Sequence, residues 1–117
     1  MATDTDAKAF AHLQRASDNG HVKAQFKLGE MYLLGRGTEK DYGQAFSWWR
    51  RAATAGNATA QYRVGLFYET GYQGVVSKDL AKARDWYALA AAQGYAVAAT
   101  RLHNVGGENS VALTTNH

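Results

Sequence analysis

Residues 21–56 and 57–94 are two versions of one pattern, and that limits the folds open to the chain more than any other feature. Ala24-Gln25 recurs as Ala60-Gln61, Leu28-Gly29 as Val64-Gly65, Tyr32 as Tyr68 and Gly35 as Gly71, each 36 positions on. After the glycine the offset grows to 38: Asp41 recurs as Asp79, Ala45 as Ala83, Trp48 as Trp86, Ala52 as Ala90 and Gly56 as Gly94. The two extra residues fall between Gly71 and Asp79, where a loop absorbs them. A repeat of this length is one supersecondary unit that stacks on its neighbours, because it cannot bury its apolar stripe alone.

The unit is helical. Ala24, Leu28 and Tyr32 fall at i, i+4, i+8, and Ala45, Trp48, Trp49 and Ala52 at i, i+3, i+4, i+7. The 117 residues contain no proline, which suits helices, while glycine supplies the breaks. Gly56 and Gly94 close the second helix of each unit as C′ residues would. Asp41 opens one second helix with Gln44 three positions on, a capping box; Asp79 caps the other, where Lys82 does not close the box. Gly29 and Gly65 lie inside a helix, at a cost of about 1 kcal/mol each against alanine. A cost repeated at one position implies that the neighbouring helix comes too close for a Cβ.

The pattern runs past both units. Ala9, Leu13, Ala16 and Gly20 make residues 5–20 a lone second-helix half-repeat, and Ala98 and Leu102 make 95–104 a lone first-helix half-repeat. There the pattern decays: His103 stands at the glycine position and Gly106 at the tyrosine. The expected fold is all-α: a right-handed α/α solenoid of six antiparallel helices at 5–13, 22–34, 42–55, 58–70, 80–93 and 95–104. It forms one domain over residues 1–104, with 105–117 as a flexible tail.

Composition bounds the function. With no cysteine, disulfides and thiolate metal sites are excluded. No apolar stretch approaches the length of a membrane span, so no membrane insertion is expected. The opening MATDTDAK carries acids where a secretory signal carries basic residues; as given, the chain reads as cytoplasmic, though a trimmed signal would leave no trace. Thirteen basic against ten acidic residues give +3, with signs interspersed rather than gathered on one face. Nucleic acid is therefore not the expected partner.

The run AQxxLGxxYxxGxG from Ala24 to Gly37, followed by Asp41, Ala45, Trp48-Trp49, two alanines and a closing glycine, resembles the Sel-1-like repeat, a relative of the tetratricopeptide repeat. The second unit follows it with Val64 for the leucine, Phe67-Tyr68 at the aromatic pair and Tyr87 beside Trp86. The glycine-rich loop inside the unit, and glycine rather than proline at its end, separate it from the tetratricopeptide repeat itself. The resemblance covers residues 5–104. It implies a non-enzymatic protein-protein interaction module, a scaffold or adaptor, typically in bacterial signalling, envelope or secretion systems.

In the related tetratricopeptide fold the first helix of each pair lines the concave face. Carried over, the inward positions are Lys23, Phe26, Glu30 and Leu33 in one helix and Thr59, Tyr62, Leu66 and Glu69 in the next. The last helix adds Val97, Thr100 and Asn104. Phe26, Tyr62 and Leu66 would be apolar groups in a groove bordered by Lys23, Lys27, Glu30, Arg63 and Glu69, the usual make-up of a binding surface. A second reading stands beside it: Phe26 and Tyr62 simply pack against the next helix. Trp48, Trp49 and Trp86 are expected in the core, and His12, at the position of Trp48, as a packed histidine.

Catalytic patterns are missing. The histidines at 12, 21, 103 and 117 lack metal-ligand spacing, and no GxSxG or P-loop occurs. Gly35 and Gly37 follow a helix rather than a strand, so a dinucleotide reading fails. Asn57-Ala58-Thr59 fits a glycosylation acceptor only incidentally. No serine has lysine three positions on, so the SxxK arrangement of β-lactam enzymes is lacking, as are the cysteines of the β-lactam-binding relatives of the family. No cofactor and no metal are expected. The alternative to a scaffold is a dedicated inhibitor or immunity protein that neutralises one bacterial effector, and a β-lactam enzyme is the remote third. Self-association through the end helices is a further possibility, since each lacks a neighbour on one side.

Overall fold

A computed structural model describes the backbone of residues 4–115 and the side chains of residues 4–105. Six helices follow in order: α1 (Asp4–Asp18), α2 (Val22–Leu34), α3 (Tyr42–Thr54), α4 (Ala58–Thr70), α5 (Leu80–Ala92) and α6 (Ala96–Thr115). Each packs mainly on the next in sequence, as a solenoid requires. The Cα radius of gyration is 16.0 Å, against about 13 Å for a globular chain of this length. No described helix is long and apolar enough to cross a membrane.

The second helices end as their glycines demand. Gly20, Gly56 and Gly94 have φ of 89°, 104° and 87°, the region open to a residue without a Cβ. The following N–H groups, on His21, Asn57 and Tyr95, return to the carbonyls of Ala16, Ala52 and Ala90 at 3.0–3.2 Å. Asp41 accepts from the Gln44 N–H and Asp79 from the Lys82 N–H, both at 3.0 Å. Asn57, read above only as part of a glycosylation pattern, caps α4 by accepting from the Ala60 N–H at 2.8 Å.

The two loops inside the units close alike despite their different lengths. The Asp41 N–H donates to the Tyr32 carbonyl and the Asp79 N–H to that of Tyr68. The extra residues of the second loop form a small bulge pinned by an isolated antiparallel bridge between Tyr72 and Val76.

A second tie joins unit to unit. Gln25 donates from Nε2 to the Ser17 carbonyl, and Gln61 to the equivalent Ala53 carbonyl, both at 3.2 Å and both buried. The two carbonyls already accept from the Gly20 and Gly56 N–H groups at 3.0 Å, so each buried amide fills a second acceptor site and satisfies its own N–H. Gln61→Leu is expected to cost about 0.5–1.5 kcal/mol, the net contribution of a typical intramolecular hydrogen bond, since the Ala53 carbonyl keeps the Gly56 N–H; the urea midpoint is the measurement. An unchanged midpoint would show that water replaces the amide.

Three expectations need correction. The sixth helix does not stop at 104 but continues to Thr115, because Gly106-Gly107 are not followed by the turn that ends α2 and α4. Trp48 and Trp49 are buried, but Trp86 is only partly so, since no described second helix lies beyond α5. His12 is exposed rather than packed, because no described helix precedes α1.

Candidate partner-binding face

The steric hinge of each unit is an aromatic ring laid on a glycine. A Cβ at Gly29 would stand 2.5 Å from Trp49 Cδ1, and one at Gly65 would fall within contact distance of the Tyr87 ring. The close approach read from the repeated glycines is therefore real, but it is made by a side chain of the second helix rather than by its backbone. Trp49 and Tyr87 are 1% and 0% exposed. Each ring crosses beneath its first helix and ends in a polar contact. Trp49 donates from Nε1 to the Phe26 carbonyl at 2.9 Å, and Tyr87 donates its hydroxyl to Glu69 Oε1 at 2.6 Å.

Above these rings, side chains of α2, α4 and α6 meet. Phe26 stacks on Trp49 with centroids 5.9 Å apart. The Arg63 guanidinium lies 5.3 Å from the Trp49 centroid and 6.0 Å from that of Phe26, and 3.9 Å from the Glu30 carboxylate. One unit on, Tyr62 packs between Tyr87 and Tyr95 at 5.8 and 5.3 Å, and Arg101 pairs with Glu69 at 3.3 Å. Burial first, and then the hydrogen bond to Glu69, push the Tyr87 phenol far above its usual value, so it stays a neutral donor.

The expected residues thus divide. Phe26 and Glu30 come together with Arg63, and Tyr62 and Glu69 with Arg101. Leu33 and Leu66 turn partly into the core. Lys23 and Thr100 are exposed, as are Val97 and Asn104; Thr59 is half-buried. Phe26 and Tyr62 pack on the rings beneath them and keep one side on the surface.

Arg101 and Tyr95 have no place in the sequence reading above, and Tyr87 enters it only as the aromatic beside Trp86. Arg101 had a signal, because Lys27, Arg63 and Arg101 occupy one repeat position in successive first helices. Arg63 and Arg101 each find a carboxylate on the preceding first helix. Lys27 has no described first helix before it and makes no ion pair among the described residues. The face offers aromatic edges, carboxylates and guanidiniums in alternation, the groups of molecular recognition. Among the described residues no three His, Cys, Asp or Glu side chains gather to hold a metal.

The Sel1 repeat family model matches residues 4–21, 22–57 and 58–95. The chain belongs to the Sel1 repeat family. It is similar to the crystal structure of a Sel1 repeat protein from Oxalobacter formigenes, at 47% identity and a TM-score of 0.75, over 79% of this chain and 68% of that one. It is also similar to c5321, a protective antigen of uropathogenic Escherichia coli strains displaying an SLR fold. That likeness has 30% identity and a TM-score of 0.77 over 86% of this chain. The match spans only 21% of that longer chain. Comparison with curated protein sequences gives no match. Sel1 repeats are in general protein-protein interaction modules, and this one is an α/α solenoid of that kind.

Proposed function

We propose that this Sel1 repeat chain is a scaffold or adaptor that holds a partner protein on the face built by α2, α4 and α6. The observation that carries the reading is the part-exposure of Phe26 and Tyr62. Each has a full aromatic support behind it, yet each keeps an edge in solvent beside a carboxylate–arginine pair. Rigid aromatic anchors with a charged rim lose little side-chain entropy when a partner covers them. The ion pairs contribute little to stability at this exposure, and they serve better as a pattern against which a partner's charges register.

Affinity capture from the native cell tests the reading with three baits. The wild-type chain is compared with a Lys23→Glu, Phe26→Ala, Tyr62→Ala variant and with an Arg50→Glu, Arg51→Glu control on the α3 surface. A partner lost to the first variant and kept by the control is the expected result, provided far-UV circular dichroism shows the variant still helical. A partner retained by the helical triple variant removes this face from consideration.

A further inference from the structure

The repeat frame leaves an unpaired helix at each end, and the two are opposite halves of one contact. α1 stands at the second-helix position with no described first helix before it; α6 stands at the first-helix position with no described second helix after it. The chain makes the full contact twice, α2 on α3 and α4 on α5. On the second-helix side, Ala45, Trp49 and Ala52, and again Ala83, Tyr87 and Ala90, are 0–1% exposed. Their counterparts in α1 are Ala9, Leu13 and Ala16, which keep the apolar character although Ala9 is exposed and the other two are only partly buried. On the first-helix side, Leu28 and Val64 are 0% exposed, while their counterpart Leu102 is partly buried. A solenoid end that faces water carries polar groups at such positions.

The sterics agree. Both internal contacts lay a large ring on a glycine. In the two end helices the glycine position holds His103 and the ring position holds Leu13, so the first helix has more bulk where the second has less. Shared volume is what a packed contact tolerates. The groove between α1 and α2, lined by Leu13, Ala16 and Ala24, is where a preceding first helix would lie. Its counterparts one unit on are Trp49, Ala52 and Ala60, all closed.

We infer that copies of this chain dock head to tail, α6 of one entering the groove between α1 and α2 of the next and completing a helix pair with that α1. The contact is heterologous, so each added copy leaves one free end of each kind and the array propagates. The α2, α4, α6 face then continues into the next copy. The inference does not depend on that face binding anything.

Charge sets the conditions. The groove carries Arg15, Lys23 and Lys27 at its edge, and the described side chains of α6 bring no acid to meet them, only His103 and an Arg101 already paired with Glu69. The contact is therefore apolar with like charge around it, and salt that screens the repulsion tightens it.

Sedimentation equilibrium of the full chain tests this with two substitutions at exposed positions, Ala9→Arg on α1 and His103→Arg on α6. The wild-type weight-average mass rises from 12.7 kDa with concentration, and rises further at higher salt. Each variant alone stays monomeric where the wild type does not, with its thermal midpoint unchanged. Mixed in equal amounts, the two recover a complex of twice the monomer mass and no larger, because each keeps one intact end. A wild type that stays at 12.7 kDa up to millimolar concentration in both low and high salt overturns the inference. So does an Ala9→Arg variant that still associates, which would mean α6 pairs with itself, or a mixture that stays monomeric.

Discussion

Trp49→Ala is expected to lower stability by about 3–5 kcal/mol, the range for truncating a buried tryptophan. For a domain of this length that is a large share of the roughly 5–15 kcal/mol available. Three losses coincide at this residue. The ring is 1% exposed and packs against Phe26 and Phe67 with centroids at 5.9 and 5.7 Å, so its removal leaves a cavity between α2, α3 and α4. Its indole N–H is a second donor to the Phe26 carbonyl, beside the helical bond that carbonyl keeps within α2, and this bond is lost. Arg63, stacked over the same ring, loses its platform. Urea unfolding followed by circular dichroism measures the change. A loss below about 1 kcal/mol would show that α2 and α3 collapse onto each other, which the cavity argument does not allow.

Gly65→Val is the second large effect, with an expected loss of about 1–3 kcal/mol from overpacking. Valine and glycine differ little in helix propensity compared with that, so the sterics decide the sign. The Tyr87 ring occupies the space a Cβ needs, and it cannot swing away freely, because its hydroxyl is held by Glu69 and its face by Tyr62. Gly65→Ala adds less bulk and regains up to about 1 kcal/mol of propensity, so its loss is smaller. The pair Gly65→Ala with Tyr87→Leu separates the causes. If ring and glycine are one contact, the double variant is less destabilised than the sum of the single changes. Additive losses would mean that the glycine serves something other than the ring.

The same two residues show what could and could not be read from the chain alone. A glycine repeated inside a helix announces that something lies against it, since the propensity cost would otherwise be removed by any alanine. What lies against it is not announced. The ring comes from a residue 20 positions away in one unit and 22 in the other, at a place where the residue type itself changes from Trp49 to Tyr87. The helix ends were legible for a local reason: Asp41, Asp79, Gly56 and Gly94 act on backbone groups within a few residues of themselves. Asn57 is equally local, its side chain accepting from the Ala60 N–H three residues on. The helical run from 106 to 115 was not legible, because glycine ends a helix only when its backbone takes the left-handed turn.

What the sequence by itself determined is the architecture. Period, capping residues and apolar spacing are all short-range signals, and repetition confirms each of them a second time. What only the tertiary structure decided is which side chains share the α2, α4, α6 face. Arg63 meets Glu30, and Arg101 meets Glu69, across gaps of more than 30 positions, between helices that are not neighbours in the chain. Their pairing depends on how far one unit is displaced and rotated from the last. Trp49 takes part in that placement, lying on Gly29 of its own unit and packing against Phe67 of the next, contacts that no spacing along the chain records.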